Sequence, residues 1–215
     1  MKKSVYLFLA FLILIILFIP NILTKAESSV IYIDPGHGGF DGGCSCNGIV
    51  EKDLTLSISL KLQKLLQSVG YTVYLTREKD TALARTKSND IYKRVALINN
   101  ANTLLYISIH ANSYPHPSVR GAQTFYHDTE ENKQLSNFIQ ECLKKIDLEN
   151  HRVSKSLTDK YLLDNVTKVG CLVEVGFLSN KEESTRLKDE SYQNKIAYAI
   201  YAGILSYLEN VEGQK

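Results

Sequence analysis

The chain has 215 residues, with 25 basic against 23 acidic side chains and 44% hydrophobic content, which suits one domain or two small ones. No basic patch stands out, so the electrostatic case for binding nucleic acid is absent. No internal repeat, low-complexity tract or Pro/Ser-rich linker follows residue 29.

Residues 1–26, MKKSVYLFLAFLILIILFIPNILTKA, are set apart from the rest. Lys2 and Lys3 precede an unbroken apolar and aromatic run from Val5 to Ile19. This is the pattern of a signal peptide or an N-terminal membrane anchor. The run is short for a free-standing span, which needs about 20 residues. The protein is therefore expected outside the cytoplasmic membrane, touching it only through this segment. Lys2, Lys3 and Lys25 fall within it, so 25 − 3 leaves 22 basic against 23 acidic residues in 27–215. Those residues are enough for one well-buried core, and a single domain over 27–215 is expected.

The elements follow in chain order. Val30 to Asp34 reads as a buried strand, followed by the loop PGHGGFDGG, whose five glycines surround His37. Leu54, Ile58, Leu62, Leu65, Leu66 and Val69 keep helical spacing from Glu51 to Val69, and Gly70 stops that helix. Thr72 to Arg77 is a second strand, and Asp90 to Asn100 a helix with Val95 and Ile98 inward. Leu104 to His110 and Gly121 to His127 are further strands, and Lys133 to Ile146 is a helix. Tyr161 to Asp164 reads as a short edge strand before the strand Leu172 to Val175. Ser179 opens a capping box, S-N-K-E, and a last helix spans about Tyr192 to Leu208. Strands alternating with helices indicate a layered α/β domain with a largely parallel sheet.

The four cysteines do not form a disulfide framework. Cys171 opens an apolar strand, Cys142 lies on a helix, and only Cys44 and Cys46 are close. Their C-x-C spacing lacks the C-x2-C of common zinc sites.

Ligand sites in open α/β sheets form outside the carboxyl ends of the strands. His37 and His110 each follow a strand in that way, and Glu51 begins the helix that leaves the glycine loop. Two imidazoles and a carboxylate suit a catalytic zinc with one open position. Glu174 adds a carboxylate flanked by Val173 and Val175. Such a group is costly unless it is paired, hydrogen-bonded or protonated. It is either a buried partner of Arg77 or Arg94, or a general base of raised pKa that serves a zinc-activated water.

These residues carry a resemblance. IDPGHGGFDGG, EKDLTLSISLKL, VYLTR, SIHAN, GAQTFY and LVEVGFLSN, in order over about residues 29–209, resemble the zinc-dependent N-acetylmuramoyl-L-alanine amidases of the amidase type 3 family. The resemblance implies a three-layer α/β domain, a roughly six-stranded, mostly parallel sheet between helices, of the phosphorylase/hydrolase-like kind. It implies His37, Glu51 and His110 as zinc ligands and Glu174 as catalytic base. The implied substrate is peptidoglycan, cut between the lactyl group of muramic acid and L-alanine of the stem peptide. The short segment Asn112 to Arg120 and the motif GAQTFYH are most similar to the sporulation and germination branch. That branch acts on spore cortex, leads to muramic-δ-lactam, and in some members works with an accessory lipoprotein. The departure from the family pattern is CSCNG between Gly43 and Ile49. Two rivals stand beside this reading: a zinc peptidase or carboxypeptidase on cell-wall peptides, and a wall-binding module without catalysis. A binding module would have no use for Glu174.

Overall fold

The computed structural model describes residues 30–214. The targeting segment expected over residues 1–26 lies outside the described residues. Among the described residues, no helix is long and apolar enough to cross a membrane.

Among the described residues, eight strands and six helices follow one another along the chain. They are β1 (Val30–Pro35), β2 (Ser45–Cys46), β3 (Ile49–Val50), α1 (Glu51–Ser68), β4 (Thr72–Leu75), α2 (Lys87–Asn100) and β5 (Thr103–Asn112). There follow β6 (Gln123–Tyr126), α3 (Glu130–Ile146), β7 (Lys155–Ser156), α4 (Tyr161–Asn165), β8 (Val169–Phe177), α5 (Lys181–Lys188) and α6 (Glu190–Gly213). Six strands form one sheet in the order β4-β1-β5-β8-β6-β7, with β2 and β3 as a separate hairpin. All pairs in the large sheet are parallel except β6 with β8. The fold is thus the expected α/β class.

Strand parity decides what each face holds, because successive side chains leave a strand on opposite sides. Ile31, Ile33, Leu105, Ile107, Ile109, Cys171, Val173 and Val175 pack into the larger core. That core is completed by Leu54, Ile58 and Leu62 of α1, Leu135 and Ile139 of α3, and Ile196, Ile200 and Ile204 of α6. Tyr32, Tyr106 and Leu172 face the other way, toward Val95 and Ile98 of α2 and Leu162 and Leu163 of α4. This second layer is thinner. By the same parity, Asp34, His110 and Glu174 belong to the face that α2 and α4 cover incompletely.

Three expectations need correction. Tyr161–Asp164 is helical, the core of α4, not an edge strand. Its Leu162 and Leu163 are both buried against α2, which a one-turn helix achieves and an alternating strand would not. The cap after β8 is Asn180, whose side chain accepts from the Glu183 N–H at 3.0 Å. Ser179 is used elsewhere, its hydroxyl accepting from the Tyr114 N–H at 2.9 Å. Helices α2 and α3 also begin about one turn earlier than the apolar spacing shows. Thr86 and Thr129 cap them by accepting from the Asn89 and Asn132 N–H groups.

Candidate metal centre

The loop between β1 and β2 is held by arginines. Arg94 donates to the carbonyls of Pro35 and His37, both at 2.6 Å, while Arg77 donates to Gly36 O at 2.8 Å. Arg94 also pairs with Asp34 at 2.8 Å and with Asp90 at 2.5 Å. Burial alone would raise the Asp34 carboxyl, but Arg94 and the hydroxyls of Thr76 and Ser108 hold it below its ordinary value. These bonds keep His37 in the left-handed region at φ 61°, which few non-glycine residues adopt. Neither arginine touches Glu174; both are committed to the loop.

Two glycines make room for the side chains that converge. A Cβ on Gly36 would lie 2.4 Å from the His110 ring. A Cβ on Gly43 would lie 2.5 Å from Glu51 Oε2 and 2.7 Å from the His37 ring.

Into that space come His37 from the loop, Glu51 from the first turn of α1, and His110 from β5. Glu51 Oε1 lies 3.1 Å from His37 Nε2 and 3.0 Å from His110 Nδ1. One donor atom from each of the three falls within 4.8 Å of the others. Four ligands placed tetrahedrally at zinc distances would be separated by about 3.3 Å, so the donor set fits a small cation of intermediate softness. Glu51 is fixed at both oxygens. Ala111 N–H donates to Oε1 at 3.1 Å and Cys44 N–H to Oε2 at 2.9 Å. Burial opposes its charge, yet the two histidines keep its carboxyl well below the usual range.

Asp41, absent from the residues that the sequence singled out, orients His37. Its Oδ2 lies 2.9 Å from His37 Nδ1, which leaves Nε2 to face Glu51. Lys87 holds the other oxygen, Oδ1, at 2.7 Å. Burial works against the charge on Asp41, but Lys87 and His37 hold its carboxyl down at about 2. An acidic residue four positions after the histidine was the available signal. It needed the loop conformation, closed by the Gly38 N–H to Asp41 O bond at 2.9 Å, to be read.

Glu174 stands apart from these pairings. It is paired in register with His110 across β8 and β5. A cavity of about 580 Å³ is lined by both, together with His37 and Glu51. The Oε2 atom of Glu174 is buried without a hydrogen-bond partner among the described residues. Burial pushes its carboxyl up to about 7, partly offset by the histidines. A half-protonated carboxylate beside a candidate metal site is equipped to accept and return a proton near neutrality. The cysteines contribute less. Cys44 lines the same cavity with its thiol near Ala111 O, and burial with the Glu51 charge pushes it up to about 12. It is a neutral thiol at working pH.

Comparisons with known proteins give the family. A family model described as N-acetylmuramoyl-L-alanine amidase matches residues 31–206. The germination-specific N-acetylmuramoyl-L-alanine amidase of Bacillus subtilis is 45% identical over 191 residues, covering 84% of this chain and 80% of that one. The CwlD amidase of Clostridioides difficile, solved in complex with the GerS lipoprotein, superposes with a TM-score of 0.81 at 42% identity. The match covers 85% of this chain and 99% of that one. The amidase AmiC2 of Nostoc punctiforme matches at 30% identity and a TM-score of 0.77, over 86% of this chain and 99% of that one. This chain belongs to the N-acetylmuramoyl-L-alanine amidase family.

Proposed function

We propose that the chain hydrolyses the amide between the lactyl group of N-acetylmuramic acid and L-alanine of peptidoglycan stem peptides, using zinc held by His37, Glu51 and His110. The observation that carries this reading is the convergence of those three donors within 4.8 Å beside a carboxylate whose Oε2 is buried and unpartnered among the described residues. Zinc bound there supplies Lewis acidity, which polarises an amide carbonyl and makes water easier to deprotonate. The remaining steps belong to the chain. Asp41 keeps His37 in the tautomer that presents Nε2. The N–H groups of Ala111 and Cys44 hold Glu51 in one orientation. Glu174, as carboxylate, takes the proton of the attacking water and returns it to the departing alanine amine. Leu157, Leu162 and Leu172 form an apolar wall of the cavity in which that proton transfer takes place.

The place of action in this reading is the spore cortex, supported by the likeness to a germination-specific amidase. Residues 1–26 would deliver a single catalytic domain, 27–215, across the cytoplasmic membrane. A lipoprotein partner is part of the same reading, supported by the likeness to the C. difficile amidase, which was solved bound to one. Amide cleavage leaves a free lactyl carboxylate, the group required to close a muramic-δ-lactam after N-deacetylation by another enzyme.

The decisive experiment digests purified peptidoglycan with the zinc-loaded chain and analyses the products by mass spectrometry. The expected products are stem peptides with a free L-alanine amine and glycan with unsubstituted lactyl groups. Cleavage between two amino acids of the stem would instead make the protein a peptidase. Spores lacking the protein should contain cortex without muramic-δ-lactam, and normal lactam content would remove the cortex assignment.

A further inference from the structure

Two cavities flank the metal centre, and they differ in whether their cations are already paired. The smaller, about 320 Å³, is lined by Asp34, Asp41 and Asp90 with Lys87 and Arg94. Both of its cations are spent: Lys87 pairs with Asp41 at 2.7 Å, and Arg94 pairs with Asp34 and Asp90. Three carboxylates against two cations give this side no attraction for an anion. The larger cavity, about 580 Å³, has apolar walls, among them Phe125, Leu157 and Leu172. It carries one ammonium, Lys160, at the start of α4, and two carboxylates, Glu51 and Glu174, at the metal centre, of which Glu51 is a candidate zinc ligand. Lys160 is exposed and makes no ion pair among the described residues. Its charge is felt by Glu174 across the cavity.

We propose that the larger cavity is the stem-peptide subsite and that Lys160 binds a carboxylate of that peptide. This rests on the amidase reading above. The scissile amide has unlike sides: a muramoyl sugar rich in hydroxyls and a peptide rich in carboxylates. The residue after L-alanine in a stem peptide is a glutamate linked through its side chain, so its α-carboxylate is free. An apolar cavity with an ammonium on its wall that makes no ion pair among the described residues complements that peptide. The aspartate-lined cavity, whose cations are already satisfied, complements neutral sugar hydroxyls. The alternative placement would bring a peptide carboxylate against three aspartates while leaving Lys160 without a counter-charge.

The test compares N-acetylmuramoyl-L-alanyl-D-glutamate capped as its γ-methylamide with the same γ-methylamide in which a carboxamide replaces the α-carboxylate, so that no free γ-carboxylate competes. Binding to the zinc-loaded full chain carrying Glu174→Gln is measured by calorimetry, so any effect of Lys160 on Glu174 ionisation is removed. The carboxylate peptide should bind about five- to tenfold more tightly, the range of a partly exposed charge-assisted contact. In turnover with wild-type Glu174, the preference should lie in KM rather than kcat. Lys160→Gln should abolish it, and Lys160→Glu should reverse it. Equal affinity for the two peptides, or a preference that survives Lys160→Gln, overturns the assignment. Cleavage of neither peptide by the wild-type chain, with the binding preference intact, overturns the amidase reading while supporting the subsite.

Discussion

His110 and Glu174 are direct partners in the parallel pairing of β5 with β8, and both side chains open into one cavity. Paired residues on parallel strands leave the sheet on the same face. The register therefore places a candidate ligand and a candidate proton acceptor side by side without any loop having to hold them. A one-residue slip would send one of the two into the larger core. The ligand assignment gives the first expected outcome. The wild-type chain should bind one zinc, and His37→Ala or His110→Ala should lose it. Stoichiometric zinc in the double variant, measured by metal analysis after dialysis, would show that other residues hold the metal.

Asp41→Asn tests the support of His37. The amide preserves shape but removes the negative charge that accepts from His37 Nδ1 and pairs with Lys87. Loss of such an outer partner costs about 10–100-fold in metal affinity. The same loss is expected here, with the fold retained, by competition titration against a zinc chelator. Unchanged affinity would make Asp41 a loop residue only.

Much of this site was legible because strand ends are legible. Apolar runs located β1, β5 and β8, and the rule that sites form at carboxyl ends then brought His37, Glu51 and His110 toward one edge. The bonding of Arg77 and Arg94 was not legible. Sequence offered each as a partner for Glu174, but both instead bind backbone carbonyls of the glycine loop, which carry no residue signature. α4 was misread because four apolar-rich residues fit a strand or a helical turn equally well, and only packing against α2 decides. The two-residue strands β2, β3 and β7 lie below the length at which any periodicity exists.

Gly36→Ala probes the close approach of the loop to His110. The new Cβ would fall 2.4 Å from the ring, so the ring or the loop must move. Overpacking of this kind costs about 1–3 kcal/mol. Denaturation should show that loss, together with weaker zinc binding because His110 is displaced. A variant of unaltered stability and metal affinity would mean that the loop and ring are free to separate, contrary to the tight Gly36 N–H to Ile109 O bond at 2.9 Å.

Glu174 should have opposite effects on catalysis and on stability. Replacing it with Gln removes the proton acceptor and should cost at least ~100-fold in rate, the scale of a general base, while zinc stays bound. Stability follows from its raised pKa. Burial lifts the folded-state value from 4.5 to about 7, so between those values the native metal-free chain holds a proton that the unfolded chain has released. A group of this kind contributes fully below pH 4.5, and its contribution is lost as the pH rises through 7. The slope is at most about 1.4 kcal/mol per pH unit. Urea midpoints of the metal-free wild type should fall across that window relative to Glu174→Gln, which has no proton to lose there. Above pH 7 the variant should therefore be the more stable of the two, although it is nearly inactive. Parallel midpoints for the two proteins from pH 4.5 to 8 would show that Glu174 is ionised throughout, and that its pKa is not raised.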